Sequence, residues 1–253
     1  MQQSFLSIRK LTEKPYATII GYPKSTKRQV EARISQMKSL GISGISFQGD
    51  LKLGTINVLG KGYVGIVVLA KKQNKKVAVK IRRTDSQRRE MQSESKLLRI
   101  ANSVGVGPRL IDSSKNLLIM EYLDGKKIGV WIKELKGKGS VSTLKSKIRK
   151  TLEDCYNLDR IGLDHGELSS IAKHVIIGKS KTTIIDFESA STKRRASNVT
   201  SATQGIFIGS GISKSILKLC KITSKDKMIE ALRNYKHTPT RDNFDELLKV
   251  LKL

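Results

Sequence analysis

Gly60-Lys61-Gly62-Tyr63-Val64-Gly65-Ile66-Val67, followed shortly by Val77-Ala78-Val79-Lys80, is the stretch on which the fold turns. The first segment is a G-x-G-x-x-G-x-V between two short β-branched runs. Glycines let a backbone approach phosphates closely and adopt positive φ, so that N–H groups can face an anion. Alone, the pattern also suits a tight hairpin or a dinucleotide-binding turn, but the latter needs a helix where a strand follows here. The second segment ends an apolar strand on a lysine. A lysine there is costly unless paired, so Lys80 is expected to meet both an anion and a carboxylate, the alternative being a strand-edge lysine in solvent.

Working outward, a helix is expected from about Ser86 to Asn102. At about 100° per residue, Met91, Leu97, Leu98 and Ala101 centre its apolar face almost on Glu94, with Glu90 the second choice. Glu94 is therefore the expected partner of Lys80. The surrounding runs INVLG, GIVVLA, KVAVKI and LLIMEYL read as strands separated by Gly, Asn and Lys turns. Residues 1–50 read as an extension, with one amphipathic helix capped at Ser25 and running to about Leu40; Val30, Ile34, Met37 and Leu40 form its stripe and Gly41 ends it. A lobe extension and a partner-docking module are both open for that segment. After Leu123 the chain becomes mainly helical, apart from Val175–Ile177 and Thr183–Ile185. Thr240 caps a last helix that buries Phe244, Leu247, Leu248 and Leu251. The expected organisation is an extension (1–50), a β-rich part (51–123) and a helical part (124–253), an α+β fold of two lobes with a cleft between them.

The order of these features resembles the N-lobe of a protein kinase: glycine loop, strand lysine, helix glutamate and the run ending MEYLDG. Asp164-His165-Gly166-Glu167-Leu168 resembles the H-G-D-L catalytic loop of atypical kinases, and Ile184-Ile185-Asp186-Phe187-Glu188 resembles the metal-binding D-F-G. The chain looks like the minimal RIO-type and KEOPS-associated kinases, more specifically a predicted archaeal serine/threonine kinase group, over roughly residues 51–200. The resemblance implies a bilobal protein-kinase-like fold with a reduced helical C-lobe. It implies ATP as phosphoryl donor with Mg²⁺ or Mn²⁺. Gly60, Gly62 and Gly65 would cover the phosphates, and Lys80 would hold them, anchored by Glu94. Met120 would be the gatekeeper, backbone groups of Glu121 and Leu123 would meet the adenine edge, and Val67, Ala78 and Ile176 would line its pocket. Asp186 would hold the metal.

Departures from the pattern matter. Glu167 stands where the catalytic aspartate is expected, one methylene longer, with Asp164 a rival base. The usual metal-binding asparagine falls at Ala172. With a loop two residues longer, His174 takes its place and favours manganese or zinc over magnesium; otherwise His174 packs or bonds to backbone. Glu188 replaces the flexible glycine of D-F-G, and no A-P-E follows. Arg194-Arg195-Ala196-Ser197 is either a basophilic phosphoacceptor site or a basic loop touching an anion or its own lobe. His237 beside Pro239 reads as a connecting turn.

Composition bounds the setting. The 253 residues carry 49 Lys+Arg against 22 Asp+Glu, a net charge of +27, spread along the whole chain. Such a surface attracts polyanions, including RNA, ribosomes and acidic protein substrates, or serves as a solvated exterior. Cys155 and Cys220 have no CxxC partner, which disfavours a zinc site or disulfide framework. No apolar run approaches the roughly 18 residues of a membrane span, and no cleavable leader is visible, so a cytoplasmic protein without membrane contact is expected. A protein kinase is the leading expectation. An ATPase or a weakly catalytic nucleotide-binding scaffold on an RNA–protein assembly is the alternative, and a small-molecule kinase shares the loop pattern.

Overall fold

The computed structural model describes residues 4–209, 211–220 and 224–253. Its contacts divide the chain into two units of mixed α and β structure. The first runs to Arg99 and adds Pro108–Leu123; the second takes Ile100–Gly107 and Asp124 onward.

The first unit is built on an antiparallel sheet. Its strands are β1 (Leu6–Ser7), β2 (Ile42–Ser46), β5 (Gly60–Lys61), β6 (Gly65–Lys72), β7 (Lys75–Arg82), β8 (Leu110–Ser113) and β9 (Leu117–Glu121). They run in the order β1-β2-β6-β7-β9-β8, with β5 beside β6, and a separate hairpin pairs β3 (Leu51–Leu53) with β4 (Ile56–Val58). Gln73 and Asn74 join β6 to β7 with φ of 47° and 61°, the double positive φ of a two-residue turn that matches strand twist. Directly opposed residues of an antiparallel pair share a face. The pairs Val67↔Lys80, Leu69↔Ala78, Lys80↔Leu118 and Ala78↔Met120 therefore put Val67, Ala78, Lys80 and Met120 on one face.

The other face carries Ile66, Val68, Val77, Val79, Ile81, Leu117 and Ile119, and it is covered by the N-terminal segment. Ile19 and Ile20 of α1 (Tyr16–Ile20) and Val30, Ile34 and Met37 of α2 (Lys27–Ser39) are buried in that same core. Residue 50 is thus no boundary in the packing: β1 and β2 belong to the central sheet, and α2 seals it. The cap of α2 is Thr26, one residue later than the sequence indicates, because Thr26 and Gln29 form a reciprocal capping box. Helix α3 (Gln92–Ser103) begins later than Ser86. Arg82 takes the Arg88 carbonyl at 3.1 Å and Lys115 the Met91 N–H at 3.0 Å, which commits the preceding backbone to contacts outside a helix.

In the second unit β10 (Gly125–Lys127), β11 (Val175–Gly178) and β12 (Thr182–Ile184) form a small antiparallel sheet. Around it lie α4 (Ile128–Glu134), α5 (Ser140–Arg160), α6 (Ile171–His174), α7 (Asn198–Phe207), α8 (Ser213–Cys220), α9 (Lys225–His237) and α10 (Arg241–Val250). Helix α5 is central, burying Leu144, Ile148, Leu152, Cys155 and Leu158. Tyr156 stacks on Phe244 with ring centroids 4.7 Å apart, which fastens α10 to it. Thr240 caps α10 as its sequence signals. Cys155 and Cys220 are buried free thiols. Among the described residues no helix is long and apolar enough to cross a membrane.

Candidate functional site

Lys80 and Glu94 form the chemical centre of the first unit. Both are buried, and Lys80 Nζ donates to Glu94 Oε1 at 2.9 Å. The lysine leaves β7 from the face opposite the α2 core, and Glu94 enters from the first turn of α3. Above them lies the glycine hairpin, where Gly62 N–H donates to the Gly65 carbonyl at 2.8 Å and Tyr63 stands 88 % exposed at the tip. A Cβ on Gly65 would fall 2.7 Å from Lys80 Cγ and 3.0 Å from the Ile81 carbonyl, so β6 can lie this close to the lysine stem only with glycine there.

The N-terminal segment braces the same hairpin, which its sequence did not reveal. Lys61 Nζ donates to Tyr22 Oη at 2.8 Å, Arg83 lies over the Tyr22 ring, and Arg83 also donates to the Gly62 carbonyl at 3.1 Å. Met120 and Ala78 are neighbours across β9 and β7, with Val67 one row along. The Glu121 N–H donates to the Arg109 carbonyl at 2.9 Å, so that donor belongs to the sheet. Leu123 follows β9 and is partly buried.

In the second unit the segments 163–167 and 184–191 lie side by side. Asp164 and Ser191 exchange backbone hydrogen bonds of 2.9 and 2.8 Å. The His174 carbonyl accepts from Ile185 N–H at 2.9 Å, and His165 Nε2 donates to the Ile185 carbonyl at 3.1 Å. Asp186 follows immediately with φ 73° and ψ 73°, the left-handed region a non-glycine residue enters only where its surroundings hold it there. Glu167 accepts from Ser189 Oγ at one oxygen and from His174 Nε2 at the other, 3.1 Å away. Asp164, by contrast, is buried and accepts from Arg194 Nε at 2.9 Å. Gly166 has φ +87°, and a side chain there would strike the Arg194 guanidinium and the Ser189 carbonyl.

Burial lowers the pKa of His165 from 6.5 to about 4, so it is a neutral imidazole whose Nε2–H is fixed by Ile185. Its ring meets Phe187 edge-on at 5.0 Å. Two residues absent from the sequence reading hold the loop from behind. Asn198, at the start of α7, accepts from His165 N–H at 2.8 Å and donates to the Leu163 carbonyl at 2.7 Å. Asp159 of α5 accepts from the N–H groups of Asn198 and Val199 and from Tyr235 Oη. Burial, the dominant influence, raises the Asp159 pKa. A local signal was present, an acidic residue upstream of the loop and an asparagine opening a helix, but neither marks its partner.

Ala172 faces Gly129 of α4, where even a methyl group would be crowded, and offers nothing to a metal. Glu188 is buried, and Ile176 lies in β11 between its pairings to Lys127 and Thr183. Arg195 donates to the carbonyls of Lys236 and His237, and Arg194 donates to the Ser189 carbonyl and to the Asp164 carboxylate. The basic loop thus ties its own unit together. Among the described residues no three His, Cys, Asp or Glu side chains converge as a metal site.

The fold is therefore a mixed α+β one, with an antiparallel sheet-rich first unit and a mainly helical second. No family model matches the chain. Over 102 residues it is 32 % identical to the uncharacterized protein MJ1211 of Methanocaldococcus jannaschii, a match covering 38 % of this chain and 79 % of that protein. The chain belongs to the family of that protein.

Proposed function

We propose that the chain is an atypical, RIO-like serine/threonine protein kinase that transfers the γ-phosphate of ATP to protein hydroxyls, its own included. The observation that carries this is the buried Lys80–Glu94 pair lying under a hairpin that only glycine at 65 permits. A buried ion pair is weak support for stability and stronger support for a role, because an apolar pair of like size would hold the fold as well. Lys80 supplies positive charge to the α and β phosphates, and Glu94 fixes its Nζ. Gly60, Gly62 and Gly65 let backbone N–H groups approach the phosphates, and Val67, Ala78 and Met120 present an apolar face to the adenine ring. Leu123 and the Glu121 carbonyl complete that set.

Asp186, in its left-handed conformation, would hold Mg²⁺ or Mn²⁺, which when bound would neutralise charge on the phosphates. Glu167 accepts the proton of the attacking hydroxyl. It is preferred over Asp164 because Arg194 already occupies the latter.

Transfer of labelled γ-phosphate, with Mg²⁺ and with Mn²⁺, tests the reading in wild type and Asp186→Ala. Metal-dependent labelling of protein that Asp186→Ala abolishes is expected. Release of free phosphate without protein labelling would make the chain an ATPase. Nucleotide binding without turnover in any metal would make it a scaffold.

A further inference from the structure

We propose that Ser189 and His174 are a two-point clamp on the Glu167 carboxylate, and that His174 is a positioning residue, not a metal ligand. The inference rests on Glu167 as the proton acceptor proposed above. Glu167 precedes a short 3-10 turn (Leu168–Ser170), and its side chain is 36 % exposed. A glutamate so placed has several rotamers open to it, and a base one methylene longer than aspartate must be held if it is to meet a hydroxyl. Here each oxygen has its own donor, Ser189 Oγ at Oε1 and His174 Nε2 at Oε2. The plane of the carboxylate is thereby fixed. Each oxygen keeps a second lone pair, so the clamped group can still accept a proton.

The donors are themselves anchored. His174 is buried at the end of α6, its carbonyl bound to Ile185 N–H and its ring edge-on to His165 at 5.6 Å. Ser189 closes the 3-10 turn that follows Asp186, and its carbonyl accepts from Arg194 Nη2 at 2.6 Å. Both donors are thus tied to the segment that carries Asp186. A histidine binds metal through a bare nitrogen. In His174 the nitrogen that faces Glu167 carries the hydrogen, and Nδ1 is enclosed, with no hydrogen-bond partner among the described residues. Neither nitrogen is offered to an ion arriving from solvent.

Steady-state phosphate transfer in Mg²⁺ and Mn²⁺ tests the clamp with His174→Leu, His174→Gln, Ser189→Ala, Glu167→Gln and the double variant His174→Leu/Glu167→Gln. His174→Leu and Ser189→Ala should each lower kcat roughly 10–100-fold, with KM for ATP within about twofold and the Mn²⁺/Mg²⁺ rate ratio unchanged. His174→Gln, which keeps an N–H near the imidazole Nε2, should recover most of the rate. On top of Glu167→Gln, His174→Leu should cost nothing further, because there is no carboxylate left to hold. Additive losses, or a collapse of the Mn²⁺/Mg²⁺ ratio in His174→Leu, would overturn the clamp. A readout independent of turnover separates the two ideas. In long-range ¹H–¹⁵N spectra the His174 ring should report hydrogen on Nε2 and shift in Glu167→Gln. Absence of turnover in wild type would sink the kinase reading alone, whereas a His174 signal indifferent to Glu167→Gln would sink the clamp whatever the activity.

Discussion

A lysine buried within a strand imposes a demand on its neighbours, and Glu94 meets it at 2.9 Å. Lys80→Ala should remove phosphate transfer and, by taking the lysine cation from a buried carboxylate, lower unfolding free energy by about 3–5 kcal/mol in urea titrations. Replacing both partners, Lys80→Met with Glu94→Leu, should return most of that stability and none of the activity. Equal stability of the single and double variants would show that the pair is not what the fold depends on. His165 gives a second prediction at this scale. Its pKa is about 4 in the folded chain against 6.5 ordinarily, so the unfolded chain binds the extra proton first as pH falls. The contribution is fully present above pH 6.5 and is lost between 6.5 and 4, at about 3 kcal/mol in total. Burial raises the pKa of Asp154 and Asp159, which opposes this trend. The decisive measurement is therefore the difference between wild type and His165→Gln across that window. The two curves should converge as pH falls, and parallel curves would refute the assignment.

Among the elements, α2 decides whether the first unit folds. Its stripe of Val30, Ile34 and Met37 covers the sheet face that carries Val68, Val79 and Ile119. Met37 is fully buried, so Met37→Ala should cost about 2–5 kcal/mol by thermal or urea unfolding. A chain lacking residues 1–50 should fail to give folded, soluble protein, because a whole apolar sheet face would meet water. A folded, active truncation would show that the segment is a detachable module. The start of α7 plays a comparable part for the loop at 163–167. Asn198→Ala would leave the buried His165 N–H without its acceptor, at about 1–3 kcal/mol, and should lower kcat by loosening the loop that carries Glu167.

For the molecule as a whole, the net charge of +27 is the dominant property. Several of the few acidic groups are occupied by cations within the fold, among them Asp85, Glu94, Glu153 and Asp164. Polyanions should therefore bind, with a slope of log K against log[salt] of about −0.7 per single-strand phosphate neutralised. The exposed large aromatic among the described residues is Tyr63, so among them no stacking platform accompanies the charge. RNA binding should be weak, salt-sensitive and indifferent to sequence, and an acidic phosphoacceptor such as a casein-like chain should compete with it. Filter binding over a salt series, with and without that competitor, checks both. A specific RNA held at high salt would mean that base contacts, not phosphate charge, govern recognition.

Local physics wrote much of this chain. The strand runs at 65–82 and 117–121, the stripe of α2, the cap and buried face of α10 and the inward place of Glu94 on α3 are all periodicities or caps, set by residues within a turn or two of one another. Lys80's need for a carboxylate was legible for the same reason, since burial of a charge constrains what must lie near it. Tertiary structure decided what depends on distant segments meeting. That residues 1–50 seal the sheet, that Arg194 occupies Asp164, and that Ser189 grips Glu167 follow from pairings across tens of residues. A polar side chain carries no local mark of its partner: a histidine reads alike as ligand, clamp or filler until packing brings one acceptor to one of its nitrogens.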